Sequence, residues 1–159
     1  MIRNIARLML LVFLAGTVAV QASEPAVTGF YRANGESVTP VHARAAPGER
    51  YMDAPTYRIV LSEKDASSSR DAAFDAQMDK LRSARVIKLA ESTDGFIVIG
   101  SEFAHPHLRR SGASASGILQ ALDVVVANGE IRGRLVSVAD ASLFDDSIEI
   151  DLEFRSPIK

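Results

Sequence analysis

The stretches "FYRANGESV" (30–38) and "VVVANGEIR" (124–132) carry the same tetrapeptide, Ala-Asn-Gly-Glu, between runs of β-prone residues. Asn-Gly readily takes the positive backbone φ angles that a two-residue hairpin turn demands, so each copy predicts two antiparallel strands joined by a tight turn. The flanks share their apolar pattern without sharing polar chemistry, so the repeat marks the same turn built twice rather than a duplicated site.

The same pattern extends outward in both directions. Short β-prone runs recur at "TYRIVLS" (56–62), "RVIKLAE" (85–91) and "GFIVIGS" (95–101), the last two joined through Thr93-Asp94-Gly95. At the end of the chain Ile148, Ile150, Leu152 and Phe154 alternate with Glu149, Asp151 and Glu153, as in a strand with one core face and one solvated acidic face. Arg132 and Arg134 share one face of the preceding hairpin, so they are expected to pair with that acidic row if the two strands are neighbours. One segment breaks the pattern. Phe74, Met78 and Leu81 recur at helical spacing, and Ser68 stands three residues before Asp71, which predicts an amphipathic helix over about 70–83 packed on the sheet by its Phe/Met/Leu stripe. The expected fold is therefore mainly β, an antiparallel sandwich or flattened barrel of about seven or eight strands with one inserted helix.

The N-terminus reads as a secretory signal peptide over residues 1–22: Arg3 and Arg7 precede an apolar run from Leu8 to Val20, and small residues at Val20 and Ala22 suit a signal peptidase. Thirteen apolar residues fall short of the roughly 20 that span a bilayer. Removing this leader leaves residues 23–159 as one β-rich domain with 16 basic and 20 acidic residues. That mild acidity gives no reason to expect nucleic acid or an anionic membrane as partner, since both need clustered Lys and Arg. Cysteine is absent, which excludes disulfides, thiol catalysis, zinc–thiolate sites and iron–sulfur clusters, and leaves stability to packing. The expected destination is the periplasm or the exterior.

Candidate chemistry is sparse. His42, His105 and His107 are the only imidazoles. Residues i and i+2 of an extended segment point to one side, so His105 and His107 with His42 would form a metal site if the fold brought them together, although no established ligand spacing accompanies them. Ser111, Ser114 and Ser116 lie near these histidines, but "SGASASG" lacks the nucleophile-elbow pattern and reads as loop. Asp145-Asp146 and the Glu149/Asp151/Glu153 row match no calcium loop, and no phosphate-cradling glycine motif occurs in the mature chain. Arg109 and Arg110, in "HLRRSG", form the one local basic spot, far below a nucleic-acid footprint.

The succession "NGESVTPVHARA", "YRIVLSEK", a short helix, "HP" after paired strands, "IRGRL" and "FDDSIEIDLEF" resembles a group of small, uncharacterised exported bacterial β-rich proteins. The resemblance implies an exported β-rich domain and supplies no catalytic residue; His42, Ser62, His105 and Pro106 fall on its recurring positions. The functional expectation is an exported, non-catalytic binding protein of the bacterial envelope, without cofactor, meeting another envelope or secreted protein through His42, His105, His107, Arg109 and Arg110. The alternatives are a periplasmic inhibitor or immunity protein against an envelope-directed toxin, and a metal-binding protein that uses the histidines.

Overall fold

The computed structural model describes residues 26–78, 81 and 83–159. The expected signal peptide lies outside them, as do Asp79, Lys80 and Arg82 of the expected helix. Two antiparallel sheets face one another. The first contains β1 (Val27–Ala33), β2 (Glu36–Val38), β8 (Leu119–Ala127), β9 (Glu130–Ser137) and β11 (Asp146–Pro157), in the order β2-β1-β11-β9-β8, with the short β10 (Ser142–Leu143) paired to β11. The second runs β3 (His42–Pro47), β4 (Thr56–Ser62), β5 (Ala84–Ser92), β6 (Gly95–Ala104) and β7 (Ala113–Ala115) in chain order. The mainly β, sandwich-like architecture agrees with the sequence pattern. Among the described residues the strands number eleven, because the run 36–45 divides in two, β7 lies in the Gly/Ser segment read as a loop, and β10 lies in a stretch assigned to no strand.

That division has a chemical cause. Thr39-Pro40-Val41 interrupts the run, and a proline without an N–H cannot continue a ladder. β2 therefore finishes on β1 while β3 begins on β4, and the chain passes from one sheet to the other at the buried Pro40. At the opposite corner Ile158 makes a parallel bridge to Ala45, so the end of the chain ties the first sheet to β3.

β11 is the keel of the first sheet. Ile148, Ile150, Leu152 and Phe154 are buried and the residues between them face outward, as the alternation predicts. These side chains meet Ile59, Leu61, Ile87, Leu89 and Phe103 of the second sheet in one apolar core. Shaving one methyl from it, Ile148→Val, is expected to cost about 1 kcal/mol without changing the fold, measured as a shift in the urea midpoint. On the outer face Arg134 holds Asp151 with two hydrogen bonds of 2.7 and 2.6 Å, Arg32 reaches Glu149 at 2.6 Å and Arg155 reaches Glu130 at 2.7 Å. The expected pairing of Arg134 with the acidic row is thus present. Such exposed pairs are screened by solvent and contribute little each.

The helix departs from expectation in both length and facing. α1 covers Ala72–Gln77, started by the Asp71 side chain accepting the Phe74 N–H at 3.0 Å. Phe74 and Met78 are exposed, 53% and 59%, and of the predicted stripe Leu81 alone is buried. Ala72 and Ala76 take the inward positions and pack with Val60, Ala66, Ala84, Val86 and Ala104 on the outer face of the second sheet. Small side chains on both surfaces let the helix backbone lie close to the sheet, where Phe and Met would hold it off.

Candidate functional site

Three segments far apart in sequence meet at one end of the sandwich: the β1–β2 turn at Asn34-Gly35, the His105–Gly112 loop that leaves β6, and the β10–β11 turn at Phe144-Asp145. Both Ala-Asn-Gly-Glu copies form the predicted turn, with φ of 51° and 85° at Asn34 and Gly35, and 53° and 75° at Asn128 and Gly129. Their side chains part company there. Asn128 makes no side-chain hydrogen bond to another described residue, whereas Asn34 makes three. Its amide nitrogen donates to the His107 carbonyl at 2.9 Å and to Asp146 Oδ1 at 2.8 Å, and its amide oxygen accepts the Ser147 N–H at 3.1 Å.

Asp146 is the second half of this clamp. It begins β11 on the inward side, 1% exposed, and its other carboxylate oxygen accepts the Arg109 backbone N–H at 2.9 Å. The Arg109 guanidinium lies 3.5 Å away on the solvent side. The Asn34 amide is the main cause that holds this carboxyl below the usual aspartate range; burial works against it, and the Arg109 N–H and guanidinium charge add to the lowering.

The loop between these contacts is held from within as well. The Leu108 N–H donates to the His105 carbonyl at 3.1 Å, closing a tight turn, and the Leu108 side chain enters the core. His105 is buried, its ring 4.6 Å from that of Tyr31, and its Nδ1 accepts the His107 N–H at 3.1 Å. The Gly112 N–H returns the chain to the Phe103 carbonyl at 2.6 Å and β7 follows. The serine-rich segment is therefore partly strand, with Ser114 on β7.

A fixed backbone presents exposed side chains. Pro106, His107, Arg109 and Arg110 face solvent, and the Arg110 guanidinium carbon lies 5.2 Å from the centre of the Phe144 ring. Phe144 is 56% exposed and sits at φ +50°, followed by Asp145 at +68°. Two consecutive non-glycine residues in left-handed conformation cost the turn roughly 1–2 kcal/mol or more, and the outcome is an aromatic ring held out beside Arg110.

Of the residues named from sequence, His105, His107, Arg109 and Arg110 belong to this end. His42 does not. Its cross-strand row runs through Ser62 and Ala84 to Ala104, three strand spacings of about 4.8 Å, or about 14 Å in all. His42 is exposed on the outer side of that row, while His105 turns into the core beside Tyr31. The three-histidine metal site is not assembled, and no group of three or more His, Asp or Glu among the described residues is placed to hold a metal ion. Asn34, Asp146 and Phe144 were not singled out as site residues by their sequence context. Asp146 had one legible signal, since the inward parity of Ile148 and Ile150 runs back to it.

Comparison with known proteins gives no match to a family model, to a curated protein or to a solved structure.

Proposed function

We propose that the protein is an exported, non-catalytic interaction module of the bacterial envelope, which holds an acidic segment of another envelope or secreted protein on the surface formed by His107, Arg109, Arg110 and Phe144. The observation that carries this reading is the Asn34–Asp146 clamp: a buried carboxylate and an amide fix the backbone of a loop whose His107, Arg109 and Arg110 side chains face solvent, with the exposed Phe144 ring of the neighbouring turn against Arg110. Fixing the loop before binding removes ordering cost from association, and arginine with an exposed aromatic is the composition that carries energy at interface centres. The secretory character of residues 1–22 supports the compartment.

The test is capture of a partner from envelope extract by residues 23–159, compared with the Arg109→Ala/Arg110→Ala double variant. These substitutions leave the backbone N–H that Asp146 accepts. Affinity for the partner is expected to fall about tenfold or more in the double variant, and wild-type binding to weaken as salt is raised from low to high ionic strength. Equal capture by both proteins would remove the loop from the interface. If the captured partner is a toxin or enzyme whose activity falls on binding, the module acts as an inhibitor.

A further inference from the structure

A second site, independent of the loop, lies on the outer face of the β3–β7 sheet. Along β4 and β5 the outward rows are Thr56 with Ala90, Arg58 with Lys88, Val60 with Val86, and Ser62 with Ala84. Thr56, Ala90, Val60 and Val86 are all buried. The 48–55 loop covers the first row, its Glu49 carbonyl accepting the Thr56 hydroxyl at 2.5 Å, and the segment carrying α1 covers the Val60–Val86 row. One row is left open between two covered ones, and it holds two cations directly opposite each other. Like charges so placed destabilise a sheet.

No side chain of the same row fills the gap. The row continues to Ala46 on β3 and Gly100 on β6, and a side chain at Gly100 would meet open space. Neither Arg58 nor Lys88 makes an ion pair or side-chain hydrogen bond among the described residues, although Glu49 and Glu102 line the same groove of about 480 Å³. Arg50 adds a third cation at the rim, its guanidinium donating to the Asp53 carbonyl, and Tyr51 and Ile99 give the groove an apolar wall.

We infer that this groove binds a phosphate group, free or as the monoester of a small molecule, with the Arg58 guanidinium and the Lys88 ammonium as its ligands. A phosphate carries about −1.5 to −2 near neutrality, which matches two facing cations better than the single charge of a carboxylate. Arginine supplies the fork that meets two oxygens and lysine a point charge. A groove of several hundred Å³ also suits a small organic group beyond the phosphate.

Calorimetric titration of residues 23–159 with inorganic phosphate and with phenyl phosphate at low ionic strength tests the site. One saturable site is expected in the wild type, weakened at least tenfold by Arg58→Gln and by Lys88→Glu. Tighter binding of phenyl phosphate assigns the groove to a monoester, and equal binding to free phosphate. Lys88→Glu also replaces a repulsive cross-strand pair by an attractive one, so its Tm is expected to rise by roughly 2–4 °C, which separates loss of the site from loss of the fold. Absence of saturable binding to the folded wild type, or undiminished binding in folded Lys88→Glu, overturns the inference.

Discussion

Gly29→Ala is expected to destabilise the sandwich by about 3–5 kcal/mol, more than any truncation of a single core methyl. Gly29 sits within β1 at φ +104°, a conformation that L side chains rarely adopt, and it lies opposite Leu152 in the ladder with β11. A Cβ built there falls inside the contact distance of the Asp151 carbonyl oxygen, with the Asp151 carbonyl carbon at 3.0 Å and the Leu152 Cα at 3.2 Å. All three atoms belong to the backbone of the central strand, which cannot swing aside as a side chain would. Relief therefore requires β1 to move off β11, and β1 brings Val27, Tyr31 and Ala33 to the core. Urea unfolding at neutral pH measures the cost. Amide exchange should show β1 opening first, because the strain lies on that pairing. A variant as stable as the wild type would mean that β1 can reposition without losing its core contacts.

Most of the β architecture was legible because it rests on local rules. Two residues with positive φ suffice to make an Asn-Gly turn, and the alternation from Ile148 to Phe154 fixes which face of β11 is buried without knowledge of its neighbours. The helix face was not legible for an equally physical reason. Ala72 and Ala76 have the same i, i+4 spacing as Phe74 and Met78, so periodicity supports both stripes and hydrophobicity favours the larger one. The choice is made by the surface beneath: Val60, Val86, Ala84 and Ala104 present a shallow floor that accepts a close-lying alanine face. The break at Pro40 was available in the sequence, since a proline inside a β run argues against one continuous strand.

The site was legible as a loop and hidden as a mechanism. His105, His107, Arg109 and Arg110 are conspicuous because they are unusual residues for a segment without apolar pattern, but the bonds that hold them come from Asn34 and Asp146. Those partners are 73 and 37 residues away from the loop atoms they bind, and no local rule links them. The Arg58–Lys88 row was hidden likewise, because scattered single cations acquire a direct opposite only when the register between β4 and β5 is known.

Asp146→Ala is expected to cost about 2–4 kcal/mol at pH 7 and to abolish partner capture at the loop end together with it. The carboxylate has two oxygens in two separate bonds: Oδ1 accepts from the Asn34 amide and Oδ2 from the Arg109 N–H. Truncation leaves both donors without their charged acceptor and frees the loop where Arg109 and Arg110 are presented. The near-isosteric Asp146→Asn does not restore the site, since one acceptor becomes an NH₂ that must face another donor; its cost is about 1–3 kcal/mol. The pH dependence gives an independent check. Because the folded-state pKa is depressed below the unfolded value, chiefly by the Asn34 hydrogen bond, the ionised form stabilises the fold above the ordinary aspartate pKa of about 3.9. That contribution is lost as pH falls from near 4 through the folded pKa. The stability gap between wild type and Asp146→Ala should therefore be largest at neutral pH and narrow progressively below about pH 4. Combining Asp146→Ala with Asn34→Ala should cost less than the sum of the two, because each already removes their shared bond. A gap that stays constant between pH 7 and pH 3, or strictly additive costs, would separate Asp146 from Asn34 and leave each to hold the loop through its own bond, Asn34 to the His107 carbonyl and Asp146 to the Arg109 N–H.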